Sequence, residues 1–246
     1  MINLLLALLA GTLAFGLGAL AGNPTYGIVP AVLVFPLAYF LLARRIGRRL
    51  QAVMEEVGED LQNGKAKPAR DKLQAARSLS RWQFLINQQI NAQLGAIEYF
   101  SRDYKAARPL LQGAWARNWQ AVGMLAALEL RSKNKDQAVT HMEKAARYGR
   151  KDPVMWGLYA YTLLETGDRD RALSVTTEGL KVIDGNGALK DLKSAIANNR
   201  MKKFKWGKTF GQAWYSFWPE QIPKKQLMAA QQGQMRGRKS FPRPRR

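Results

Sequence analysis

The chain has 246 residues, room for one soluble domain plus appendages on the usual scale of roughly 100–200 residues per domain. Hydrophobic residues make up 47%, which excludes wholesale disorder, and the absence of cysteine excludes a disulfide framework, thiolate metal ligation and cysteine catalysis. The formal charge of +21 is unevenly placed: residues 1–43 carry no charged side chain, 44–186 carry 24 Lys/Arg against 16 Asp/Glu, and 187–246 carry 15 against 2.

Ile2 to Ala21 is a run of 20 residues in which only Asn3 and Thr12 are polar. At 1.5 Å per residue a helix of that length covers about 30 Å, the thickness of a bilayer core. Gly22 to Gly27 is a turn-rich break, and Ile28 to Ala43 is a second apolar run, closed by Arg44, Arg45, Arg48 and Arg49. Ala19-Leu20-Ala21 has the small-x-small form of a signal cleavage site. No Lys or Arg precedes the apolar stretch, however, so we read an uncleaved helix. The two runs are expected to form a transmembrane hairpin spanning residues 1–46. Basic residues flanking a span stay on the cytoplasmic side, so everything after Arg44 is expected in the cytoplasm, most simply at a bacterial inner membrane. Ala14, Gly18 and Gly22 recur at spacing four, which lets two helix backbones approach closely. Packing within the hairpin is the first reading of that stripe, and an oligomer through Gly18 and Gly22 is the second.

Beyond the hairpin the chain repeats itself, with a period of about 34 residues. Trp119 to Asp152 aligns without a gap on Pro153 to Asn186, so that Ala138 falls on Ala172 and Asp136 on Asp170. Each block reads as an apolar helix, a short polar turn (Ser132 to Asp136; Thr166 to Asp170) and an amphipathic helix. Leu94-Gly95, Asp103-Tyr104, Ala107, Leu111 and Ala114 fit the same frame in the block before, at a slightly shorter spacing. Gly64, Ala69, Leu73 and Ala76 fit a first repeat beginning near Leu50, continuous with the membrane helix. Gly187 to Arg200 reads as a capping helix with Leu189, Leu192 and Ile196 on one face.

With Trp156, Gly167-Asp168, Ala172 and the Leu94-Gly95 pair in these places, residues 50–186 resemble the tetratricopeptide repeat family. The resemblance implies an all-α solenoid of about four repeats with its cap over residues 47–200, which follows the hairpin and precedes a basic aromatic tail, partly disordered, over 201–246. It also implies a groove, lined by the first helices of successive repeats, that binds other proteins. Gln89, Gln93, Gln120, Met124, Arg131 and Tyr161 fall at or beside groove-facing positions. The family's carboxylate clamp is not expected, because Ala92 and Ala96 stand where basic and amide residues would be needed.

The tail interleaves Lys202, Lys203, Lys205 and Lys208 with Phe204 and Trp206, and adds the cluster Trp214-Tyr215-Ser216-Phe217-Trp218. Three readings stand open. The tail lies on an anionic membrane surface, with Arg44, Arg45, Arg48 and Arg49 near the same headgroups. It binds single-stranded nucleic acid by stacking and phosphate contact. Or its rings dock back on the repeats. Catalysis is not expected. His141 is the only histidine, so no triad or histidine metal cluster can be assembled, and no phosphate-binding glycine motif occurs. No cofactor or metal is implied. The sequence therefore reads as a membrane-anchored protein-interaction scaffold, with a membrane-tethered nucleic-acid binder as the alternative.

Overall fold

The computed structural model describes residues 1–20 and 23–223. Ala21, Gly22 and the basic stretch after Pro223 lie outside the described residues, and with them the Gly22 end of the small-residue stripe. Among the described residues the chain is helical, without strands. It divides into two compact units, Met1–Leu94 and a second beginning at Gly95.

The first unit opens with α1 (Ile2–Ala19) and α2 (Thr25–Gln62), antiparallel across a turn in which Asn23 Oδ1 accepts from the Thr25 amide at 3.0 Å. Both are long and apolar enough to cross a membrane. Small residues make the seam: Ala7, Gly11 and Gly27 are buried, and a Cβ on Gly18 would stand 2.6 Å from the Gly27 Cα. The outer faces are uncovered apolar surface, with Leu17 72% and Leu33 65% exposed. α2 runs through Pro30 and Pro36 and continues without a break past the arginine cluster. Ile46 within that cluster and Leu50 and Val57 beyond it are buried, and this part of α2 meets α3 (Ala66–Ala75), which contributes Ala69 and Leu73. The apolar helix and the expected first repeat helix are thus one helix.

In the second unit the helices come in pairs. The end of α4 (Ile86–Phe100) packs on α5 (Tyr104–Gln112), where a Cβ on Gly95 would stand 2.8 Å from Leu111. α6 (Trp119–Arg131) pairs with α7 (Lys135–Tyr148), and α8 (Pro153–Thr166) with α9 (Arg169–Val182). Ala107, Ala138 and Ala172, one per pair, are fully buried where second helix meets first. Carboxylate and amide caps start the helices: Asp103 accepts from Ala106 N, Asn118 from Ala121 N, Asp152 from Val154 N and Asp168 from Arg171 N.

The degeneracy of the repeat has a structural reading at the turns. Gly167 takes a left-handed conformation, φ +94°. Lys133, its equivalent in the preceding repeat, and Arg102, the equivalent in the repeat before that, hold φ 63° without being glycine. The backbone geometry of the inter-helix turn is kept where the residue that favours it is lost, at a strain of about 1–2 kcal/mol per site.

The stack is closed by α10 (Gly187–Ala197), whose Leu189, Leu192 and Ile196 are fully buried against α8 and α9. Arg169 donates to the Ile196 and Ala197 carbonyls, satisfying acceptors that the end of a helix leaves open.

Candidate functional site

After α10 the chain turns back. Exposed residues Asn198 to Arg200 lead through a short 3₁₀ turn into α11 (Trp206–Phe210) and α12 (Gln212–Tyr215). The two helical turns are separated at Gly211, φ +69°. This segment lies on the first helices of the pairs. Phe210 occupies the space above Gly157 on α8, where a Cβ would meet its Cζ at 2.5 Å. Phe217 does the same above Gly123 on α6, 2.9 Å from such a Cβ, and stacks on Trp119 with centroids 5.8 Å apart. Gly123 and Gly157 are equivalent positions in the two ungapped blocks. Glycine inside a helix costs about 1 kcal/mol against alanine, and the open sockets are what these two positions supply in return.

Tyr161 on α8 stands among three indoles, with Trp206 and Trp218 each 5.1 Å and Trp214 5.4 Å from it, all edge to face. Trp206 also stacks on Trp214 at 4.7 Å. Phe210, Trp214, Phe217 and Trp218 are buried, and each contributes on the order of 1.5–3 kcal/mol of apolar burial before the cost of ordering the segment. Burial, and after it the neighbouring Glu165, push the Tyr161 hydroxyl above its ordinary range, so it is a neutral group throughout the physiological range.

Arg131, at the end of α6, grips the far end of the segment. Its guanidinium donates to the Phe217 carbonyl at 3.0 Å and to both Glu220 carboxylate oxygens at 2.8 and 3.0 Å. It also donates to the Tyr99 hydroxyl at 2.6 Å and lies 4.3 Å over the Trp218 ring. Tyr99 in turn donates to the Phe217 carbonyl at 2.6 Å. Burial raises the Tyr99 hydroxyl above its ordinary range, against the pull of Arg131, which keeps it a donor. A backbone carbonyl, a carboxylate and an aromatic face are thus read by one side chain, the planar fork that lysine lacks.

Arg131 and Tyr161, two of the residues expected at the groove, are therefore brought together by this segment. Met124 is buried in α6, and Gln120 is exposed on the same helix. Gln89 and Gln93 are exposed on α4 in the first unit. Arg44, Arg45, Arg48 and Arg49 are exposed on α2, and Lys202, Lys203, Lys205 and Lys208 are exposed beside the groove segment. Trp206 is half-buried, its ring engaged by Tyr161, Phe204, Phe210 and Trp214. Of the three readings of the tail, docking back on the repeats describes residues 204–221. His141 is half-buried, and burial first, then Lys144, lowers its pKa. Among the described residues no group of three or more side chains is arranged to hold a metal ion.

Tyr99, Gly123, Gly157 and Glu220 escape sequence reasoning. The repeat-length spacing of the two glycines, inside otherwise apolar helices, is the signal that marks a close approach there.

Residues 101–161, covering α5 to most of α8, match the family described as tetratricopeptide repeat. A comparison with curated proteins gave no match.

Proposed function

We propose that the chain, with its tetratricopeptide match over residues 101–161, is a membrane-anchored, non-catalytic scaffold whose repeat domain binds other proteins. The observation that carries this reading is the groove. Its first helices seat a peptide-like segment through two ring sockets, a tyrosine among indoles, and an arginine on backbone and carboxylate. These are the means by which proteins bind peptide segments.

Anchoring is supported by the hairpin. Only 17% and 6% of the residues in its two most apolar stretches are buried, unlike the core helices of a soluble protein. Apolar surface of that extent calls for a lipid or protein cover. The arginines at 44–49 favour a cytoplasmic repeat domain. They and the exposed Lys202, Lys203, Lys205 and Lys208 supply charge for anionic headgroups, worth about 1 kcal/mol per residue near a membrane surface. The nucleic-acid alternative keeps that charge, but its stacking rings are engaged in the groove.

Crosslinked membranes from cells carrying the full chain, and from cells carrying a chain that lacks residues 95–223, test the reading. A protein retained at constant ratio by the full chain alone, from a pellet that resists alkaline extraction, is the expected result. Extraction of the full chain into the alkaline supernatant removes the anchor. Captured material that is lost on nuclease treatment favours the alternative.

A further inference from the structure

We propose that the groove is a receptor for an aromatic-anchored segment, that residues 204–221 are its tethered ligand, and that a partner segment with the same spacing of rings replaces them. The proposal rests on the reading of the repeats as protein-binding and names the partner's chemistry. That segment carries rings at four-residue intervals, as Trp206, Phe210, Trp214 and Trp218 do, a further ring just before the last for the Gly123 socket, as Phe217 is, and closely after them a carboxylate for Arg131, as Glu220 is.

Four observations distinguish a ligand from a further piece of the fold. The repeat stack ends in α10, whose Leu189, Leu192 and Ile196 are buried and which packs mainly on α9 and α8, so the cap precedes the segment in the chain. The segment leaves the repeat frame, consisting of two helical turns of 5 and 4 residues broken at Gly211. The receptor surface is built into the repeats themselves, since Gly123 and Gly157 open their sockets at repeat-equivalent positions. Finally, the fit is incomplete: the buried Trp218 Nε1 has no hydrogen-bond partner among the described residues. A bound segment that places an acceptor there, or a ring without a donor, fits better.

The tether sets the terms of competition. The largely exposed link from Asn198 to Lys203 is short, so the segment faces its groove at an effective concentration on the order of millimolar. A free segment at micromolar concentration is then outcompeted roughly a thousandfold at equal intrinsic affinity. A partner held close by, on the same membrane or in the same complex, competes on equal terms. Occupancy of the groove thus reports proximity rather than bulk concentration.

The test uses the full chain in detergent micelles, with a protease site inserted between Asn199 and Arg200, and a fluorescent peptide of residues 203–222. The uncut chain is expected to bind the peptide at least 100-fold more weakly than the cut chain after dilution. A peptide with serine at the positions of Trp206, Phe210 and Trp214 is expected not to bind. Equal uptake by cut and uncut chains would show an unoccupied groove and overturn the proposal. So would a cut chain that keeps its helicity yet takes up no peptide, or one that unfolds, which would make the segment part of the core. Binding of the serine peptide would overturn the aromatic spacing. Exchange needs no cellular partner, so it can succeed where membrane capture fails, and the two failures are distinguishable.

Discussion

A methyl group on Gly157 would stand 2.5 Å from the Phe210 ring, so Gly157→Ala sets two effects against each other. Alanine favours a helix interior by about 1 kcal/mol, while forcing an atom into a filled site costs about 1–3 kcal/mol. The ring is held by Trp206 and Trp214 at centroid distances of 6.0 and 5.9 Å, and it has little room to give. Gly157→Ala is therefore expected to lower stability by up to about 2 kcal/mol. In a Phe210→Ala background the same change is expected to raise it, by up to about 1 kcal/mol. Urea denaturation of the four variants, followed by Trp fluorescence, measures the cycle; the absence of a sign reversal would mean that the socket is not what selects glycine.

At the scale of elements, the hairpin seam makes a comparable claim on Gly18. A side chain there would meet Gly27 backbone atoms rather than a movable tip, so no rotamer relieves the contact. Gly18→Ile is expected to part α1 and α2 at their turn end. Spin labels on the exposed Leu17 and Ile28 would then report a longer separation than in the parent chain, and an unchanged distance would place the close approach elsewhere.

Elements of this kind are largely legible in the sequence, because their contacts repeat. Ala138 and Ala172 mark a helix crossing that recurs once per repeat, and the apolar runs are read from length alone. The destination of residues 204–221 is not legible in the same way. Rings interleaved with lysines suit a membrane interface, a stacked base or a protein groove equally well, and composition carries no term that separates them. What separates them sits on the receiving side, at Gly123, Gly157, Tyr99 and Arg131. Their common surface exists only once the end of α4, α6 and α8 lie side by side. Lys133 and Arg102 hide a second feature for the opposite reason: the left-handed turn persists while the glycine that would advertise it is absent.

For the whole molecule, the prediction is one of sidedness. A chain with no charge before residue 44 and four arginines at 44–49 is expected to keep the loop at Thr25 outside and the repeats inside. In intact cells an impermeant thiol reagent should label Thr25→Cys and spare Ser132→Cys; the reverse pattern would invert the orientation. The unbroken course of α2 then has a mechanical consequence. No joint absorbs rotation between its apolar half and the buried Leu50 and Val57 on the part that meets α3, so the helix acts as a crankshaft. One residue inserted at Gly47 would turn Leu50 and Val57 by about 100° relative to Ile46 and the apolar half, while seven would bring them back nearly into phase. The length of this helix, counted in residues, therefore sets the heading of the first repeat pair.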